Sequence, residues 1–177
     1  DLVISLGGIV YSRSVRVGGD KMDESIISYI RKNHDLLIGE TTAEKIKKEI
    51  GAAVITDEGH DVLMTIKGRS LKDGVPKEVT VTQSQIAESL QDVVLAIAEG
   101  VKTALENTAP ELSSDIVDKG IVLTGGGSLL RNLGDVLFDA TGVTTVIAEM
   151  PLHCVVLGTG RALEEMNALN HVLIDEC

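Results

Sequence analysis

Ile121-Val122-Leu123-Thr124-Gly125-Gly126-Gly127-Ser128-Leu129-Leu130 joins an apolar, β-branched run to three consecutive glycines and then to a helical pattern. Ile121–Leu123 predicts a buried strand, and a helix follows from Ser128 to about Ala140. A strand that enters three glycines lets the backbone adopt positive φ and approach a ligand closely. The helix beyond it presents free N–H groups, a setting suited to phosphate. The spacing is neither G-x-x-x-x-G-K-[ST] nor G-x-G-x-x-G, which disfavours a P-loop and a dinucleotide fingerprint. At this level two readings stay open: a nucleotide cradle, or a tight strand-to-helix turn.

Downstream, Thr144-Thr145-Val146-Ile147 is a second short strand, Pro151 turns the chain, and residues 153–169 form a helix rich in small residues, followed by a tail at 170–177. Upstream, Ile86, Leu90, Val93, Val94, Ile97, Val101, Ala104 and Leu105 keep 3–4 spacing along a long helix at 84–107, broken in propensity only by Gly100. Pro110 ends it, and a short helical stretch at 110–117 leads back to the glycine run. Residues 52–82 alternate (Val62, Met64, Ile66; Val79, Val81) around a turn-rich 68–76, a small β lobe. Thr41-Thr42-Ala43-Glu44 matches a capping box for a helix at 42–50 that stops at Gly51. Met22, Ile26 and Ile30 mark a helix to about His34, with Asp20 as N-cap and Asp23 and Glu24 in its first turn. The N-terminal runs 2–6 and 9–17, split by Gly7-Gly8, read as a hairpin. The chain opens on Asp1-Leu2-Val3-Ile4, without Met and already strand-like, which suggests that an upstream part precedes it.

Glu44 and Lys47 share a helix face at i,i+3. A carboxylate there suits ribose hydroxyls and a lysine stem suits an adenine; equally, Glu44 fits position N3 of the capping box and Lys47 a solvated face. Lys45, Lys47 and Lys48 are offset by Glu40, Glu44 and Glu49, as on an ordinary charged helix. His34, His60, His153 and His171 stand apart from any repeated ligand spacing, and Ser12 and Ser14 lack a Gly-x-Ser-x-Gly elbow. Neither a metal site nor a catalytic residue is expected in this chain. Cys154 and Cys177 form no ligand or disulfide framework, and a reducing compartment suits them.

The 177 residues carry 27 acidic and 16 basic side chains, a net charge of −11. That balance opposes duplex nucleic acid and anionic lipid as partners. Hydrophobic residues make up 44%, enough for a core, yet aromatics only 2%, from Tyr11, Tyr29 and Phe138, so the core is aliphatic and stacking platforms for bases are absent. No apolar run reaches a membrane span and no signal peptide opens the chain.

Taken in order, Gly18-Gly19-Asp20-Lys21-Met22-Asp23-Glu24, Thr42-Ala43-Glu44-Lys45-Ile46-Lys47 and Leu123-Thr124-Gly125-Gly126-Gly127-Ser128 resemble the second half of an actin-fold ATPase, the superfamily of actin, heat-shock chaperones and sugar kinases. The flanking runs 10–20, 37–44, 110–116 and 123–131 resemble its bacterial actin family MreB, and the likeness extends to about residue 165. The resemblance implies an α/β, ribonuclease H-like lobe: a base subdomain at 1–34 and 84–150, a small inserted α+β subdomain at 35–83, and a final stretch, 151–177, returning toward a first lobe. It implies ATP or ADP with Mg2+ in an interlobe cleft, with Gly125, Gly126, Gly127 and Ser128 beneath the sugar and α-phosphate and Glu44 and Lys47 at the adenosine. It further implies filaments of like subunits, cell-wall synthesis and cell-shape membrane proteins as partners, and a cytoplasmic protein at the inner membrane face, with no lipid or nucleic-acid contact from this lobe. The small β lobe would be a subunit contact. A chaperone ATPase, a sugar kinase and a non-enzymatic actin-fold adaptor are the alternatives. The family's two phosphate loops do not occur in this sequence; Asp1 would begin just after the second, so the chain alone is expected not to hydrolyse ATP.

Overall fold

The computed structural model describes residues 1–5, 9–55 and 62–165. The predicted tail, His60, His171, Cys177, the Gly7-Gly8 pair and the end of the last predicted helix lie outside them. The order is β1 (Leu2–Ser5), β2 (Ile9–Arg13), α1 (Gly19–His34), β3 (Leu36–Leu37), α2 (Glu40–Ile50), β4 (Leu63–Ser70), β5 (Pro76–Thr82), α3 (Gln83–Glu106), α4 (Pro110–Lys119), β6 (Ile121–Leu123), a 3-10 turn (Gly126–Leu129), α5 (Leu133–Thr141), β7 (Thr145–Ile147) and α6 (Cys154–Glu164).

Three small sheets form among the described residues. β1 and β2 pair antiparallel, β3-β4-β5 form an antiparallel sheet, and β6 and β7 run parallel. The second strand ends at Arg13, short of the expected Val17, because Arg13 faces Leu2, the first residue of β1, and residues 14–17 lie beyond the last ladder partner. α3 packs against α1 and α5 and reaches both hairpins, so it is the spine of the fold. One core cluster runs without a break from Met22, Ile26 and Ile30 through Ala43, Ile46 and Ile50 of α2, Ile66 and Val81 of the β sheet, and Ile86 and Leu90 of α3 to Leu133 and Leu137. The 3–4 spacing along α1, α2 and α3 makes this possible, since it aligns their aliphatic side chains on one face each. Gly100, a weak helix former, sits where α3 meets the segment after β2. A Cβ there would stand 2.8 Å from Val15 Cγ2, so close approach and not helix propensity explains the glycine.

The helix starts differ from those expected. α1 begins at Gly19 with Gly18 as its N-cap, so Asp20 lies inside the first turn and Asp23 and Glu24 beyond it. α2 begins at Glu40 with Gly39 as N-cap and no side-chain cap: the Gly39 carbonyl takes the N–H of Thr42 and Ala43. The helix thus starts ahead of Thr41, and the Thr41–Glu44 capping box does not form. A capping box does form at α3, where Gln85 N–H donates to Thr82 Oγ1 and the Thr82 N–H donates to Gln85 Oε1. β6 is not a buried strand: Val122 is 63% exposed, since among the described residues β6 pairs only with β7 and one face of this two-stranded sheet is uncovered.

Candidate functional site

The glycine run does not enter a long helix directly. β6 ends at Leu123, Gly126–Leu129 make one 3-10 turn, and α5 starts only at Leu133. Gly125 holds φ 78 and ψ 175, a region essentially restricted to glycine. Its N–H donates to Pro151 O at 2.8 Å, which ties the turn to the segment ahead of α6. Ser128 is buried, at 4% exposure. Its hydroxyl donates to Gly125 O at 2.7 Å and its N–H to the same carbonyl at 3.3 Å, so Ser128 locks the turn from inside. Leu130 N–H donates to Gly127 O. The amides of Gly126 and Gly127, at the open start of the turn, stay outside this set of bonds. A Cβ on Gly127 would meet nothing within 4 Å, and one on Gly126 only Leu152 Cδ2 at 3.6 Å. Open amides beside open space are what a phosphate or sugar needs in order to approach a backbone.

A cavity of about 600 Å³ lies against this turn. Thr124, Gly127 and Ser128 line it together with Val17, Gly18 and Met22 from the start of α1. Its lining is mostly apolar, with Leu2, Ile97 and Val101 among it, and at its rim Gly18 and Gly127 present backbone.

Glu44 and Lys47 lie on α2, which packs against α1. Lys47 Nζ donates to Gly19 O at 3.1 Å and to Asp23 Oδ2 at 2.8 Å, so its ammonium is bound to the N-terminal end of α1. Glu44 is exposed and pairs with Lys48 at 2.7 Å. The Lys48 hydrogen bond and charge, with a further contribution from Lys47, hold the Glu44 carboxyl below its ordinary range and keep it an acceptor. The two side chains predicted to share a ligand therefore have separate partners: Lys47 is held by Gly19 and Asp23, next in sequence to the cavity-lining Gly18, and Glu44 by Lys48.

Sequence reasoning missed the contacts that join α2 and the segment after it to the residues following the glycine turn. Arg131 Nη2 donates to Glu49 O at 3.0 Å, Asn132 Nδ2 to Val54 O at 2.9 Å, and Ala53 N–H to Arg131 O at 2.8 Å. Asn132 itself sits at φ 59, a left-handed position that asparagine tolerates. These bonds span about eighty positions of sequence and leave no local pattern. Among the described residues no three His, Cys, Asp or Glu side chains group as a metal site, and no helix is long and apolar enough to cross a membrane.

Residues 2–171 match the family model described as MreB/Mbl protein. The chain is 52% identical over 162 residues to the cell shape-determining protein MreB of Escherichia coli K12, covering 92% of this chain and 46% of that protein. It is 43% identical over 167 residues to the cell shape-determining protein Mbl of Bacillus subtilis, covering 94% and 50% respectively. The chain thus spans about half the length of the curated relatives it matches. Among solved structures it superposes on MreB5 of Spiroplasma citri bound to ADP with a TM-score of 0.83 at 38% identity, over 93% of this chain and 49% of that one. The MamK double helical filament matches at a TM-score of 0.68 and 20% identity, over 84% of this chain and 45% of that one, a likeness of fold alone. The fold is therefore α/β and actin-like, and the chaperone and sugar-kinase alternatives are not favoured. The chain belongs to the MreB/Mbl family.

Proposed function

We propose that this chain is the second lobe of an ATP-binding, filament-forming bacterial actin that maintains rod cell shape by organising cell-wall synthesis. In this reading residues 1–34 and 84–150 are the base subdomain, 35–83 the inserted one, and 151–177 returns toward a first lobe. The large exposed apolar side chains of α6, among them Val155 at 75%, support that return. The observation that carries the nucleotide reading is the Gly125–Gly127 turn: the amides of Gly126 and Gly127 are open, and Gly127 lines the cavity that Gly18 at the start of α1 also lines. The MreB5 relative bound to ADP supports the same ligand class.

The cofactor would be ATP or ADP. The backbone amides of Gly126 and Gly127 would meet the α-phosphate and sugar, Ser128 would hold the turn's shape, and Lys47 and Glu44 would border the adenosine. With no aromatic side chain at this rim, the adenine would rest on the methylene stem of Lys47 and on backbone. Bound Mg2+ neutralises phosphate charge; its ligands would come from the phosphates and from outside this lobe. The chain alone supplies no catalytic base and would not hydrolyse ATP. Like subunits are the first partners, with the β3-β4-β5 region as one contact surface; cell-wall synthesis and cell-shape membrane proteins are the others, at the cytoplasmic face of the membrane.

The test uses a full-length protein carrying this lobe. Equilibrium binding of a fluorescent ATP analogue should be saturable and competed by ADP, and sedimentable polymer should appear with ATP. The isolated 177-residue chain should release no phosphate. A full-length protein that binds no adenine nucleotide would overturn the reading.

A further inference from the structure

Six ion pairs occur among the described residues, and five have side chains about half exposed or more. Lys47–Asp23 alone is sheltered, with side chains 16% and 13% exposed. It joins the second turn of α1 to α2, and the same ammonium reaches Gly19 O. Gly19 is suited to this contact, since a Cβ there would stand 3.3 Å from Lys47 Nζ. Gly18, its neighbour, lines the cavity beside Gly127 and Ser128. A run of direct contacts therefore leads from the cavity rim through Gly19 and Lys47 to Asp23.

A lysine stem has four rotatable bonds and a strongly hydrated head, so left alone it samples many positions. The Asp23 carboxylate, with the Gly19 carbonyl, fixes the head and with it the line of the stem. The second Asp23 oxygen, Oδ1, is buried and has no hydrogen-bond partner. A carboxylate serving only to neutralise Lys47 would be more stable with both oxygens satisfied. Asp23 instead keeps a buried acceptor beside the ammonium, a place suited to a bound water.

We infer that Asp23 is a positioning residue of the adenosine side of the cleft, holding Lys47 against the start of α1 so that its stem forms the surface beneath the base. This inference rests on the nucleotide reading above. The experiment measures ATP and inorganic tripolyphosphate binding by full-length protein for D23N, K47M and the double variant, with apo melting temperatures alongside. Tripolyphosphate lacks the adenosine, so a positioning role there leaves its affinity unchanged. The expected result is an ATP Kd raised about tenfold (about 1.4 kcal/mol) in D23N, a similar rise in K47M, and no additional rise in the double variant. D23E, which keeps the charge, should regain part of the loss. ATP affinity unchanged in D23N but reduced in K47M overturns the inference and leaves the nucleotide site standing. Unchanged ATP affinity in both variants overturns the Lys47 part of the nucleotide reading and the inference with it. Equal losses for ATP and tripolyphosphate, or a D23N protein that does not fold, show a purely structural strap and also overturn it.

Discussion

Replacing each glycine of the turn by alanine separates the cost of backbone shape from the cost of lost ligand space. Gly125 lies at φ 78 and ψ 175, where an L side chain is strained by about 1–3 kcal/mol. Its Cβ would touch nothing within 4 Å, so no clash adds to that strain. Alanine also restricts the unfolded chain, which returns about 0.4–1 kcal/mol at either position. The net loss for G125A is then roughly 0.5–2 kcal/mol, and at about 2–4 °C per kcal/mol for a domain of this size the melting temperature falls by roughly 1–8 °C. Gly127 has no positive φ and the same empty surroundings, so G127A should melt at or slightly above the parent temperature. If the space beside Gly127 exists for a nucleotide, G127A should nevertheless weaken ATP binding in the full-length protein by about tenfold or more. Thermal melts by circular dichroism and titration with a fluorescent ATP analogue read the two effects. A G125A protein as stable as the parent refutes the strain argument. A G127A protein that binds ATP as tightly as the parent refutes the cradle and returns the run to a plain turn.

Other outcomes follow from the packing. I46A removes a fully buried side chain at the centre of α2 and should lower unfolding free energy by about 2–5 kcal/mol in denaturant titrations. G100A gains helix propensity of about 1 kcal/mol yet drives a Cβ to 2.8 Å from Val15, so melting should fall instead of rise. Burial, with the Glu88 hydrogen bond and charge, pushes the Tyr29 hydroxyl up to about 12 from 10.0. The folded state then holds a proton that the unfolded state has lost, so Tyr29 contributes full stability below pH 10 and loses it as pH rises toward 12. Y29F should flatten the fall of the denaturation midpoint across that window; an unchanged slope would show that other groups cause it.

Elements whose signal is periodic were legible because their burial is periodic too. Met22, Ile26 and Ile30 point α1 into the core, and Ile66 and Val81 do the same for the β4–β5 pair. Ends were less legible. Gly18 and Gly39 cap helices through backbone alone, so Asp20 and Thr41 drew attention that the chain does not reward. The alternation of Ser14 to Val17 reads as a strand, but a strand needs a neighbour, and the ladder stops at Arg13. The site was half legible. Its glycines announce themselves, whereas Lys47 is set by Asp23 and Gly19, and the turn is tied to α2 by Arg131 and to the segment after α2 by Asn132, all through contacts distant in sequence.

The uncovered face of β6 and β7 and the exposed apolar side chains of α6 also bear on how the isolated chain behaves in solution. Val122, Val146, Val155, Val156 and Leu163 present aliphatic surface to water, while the whole chain carries a charge of −11. Dispersion of such a molecule depends on mutual repulsion, and that repulsion has a range of about 10 Å at 0.1 M salt and about 3 Å at 1 M. Light scattering on the separate chain should therefore rise with ionic strength. The charge would act as a colloidal stabiliser for as long as those faces lack a cover.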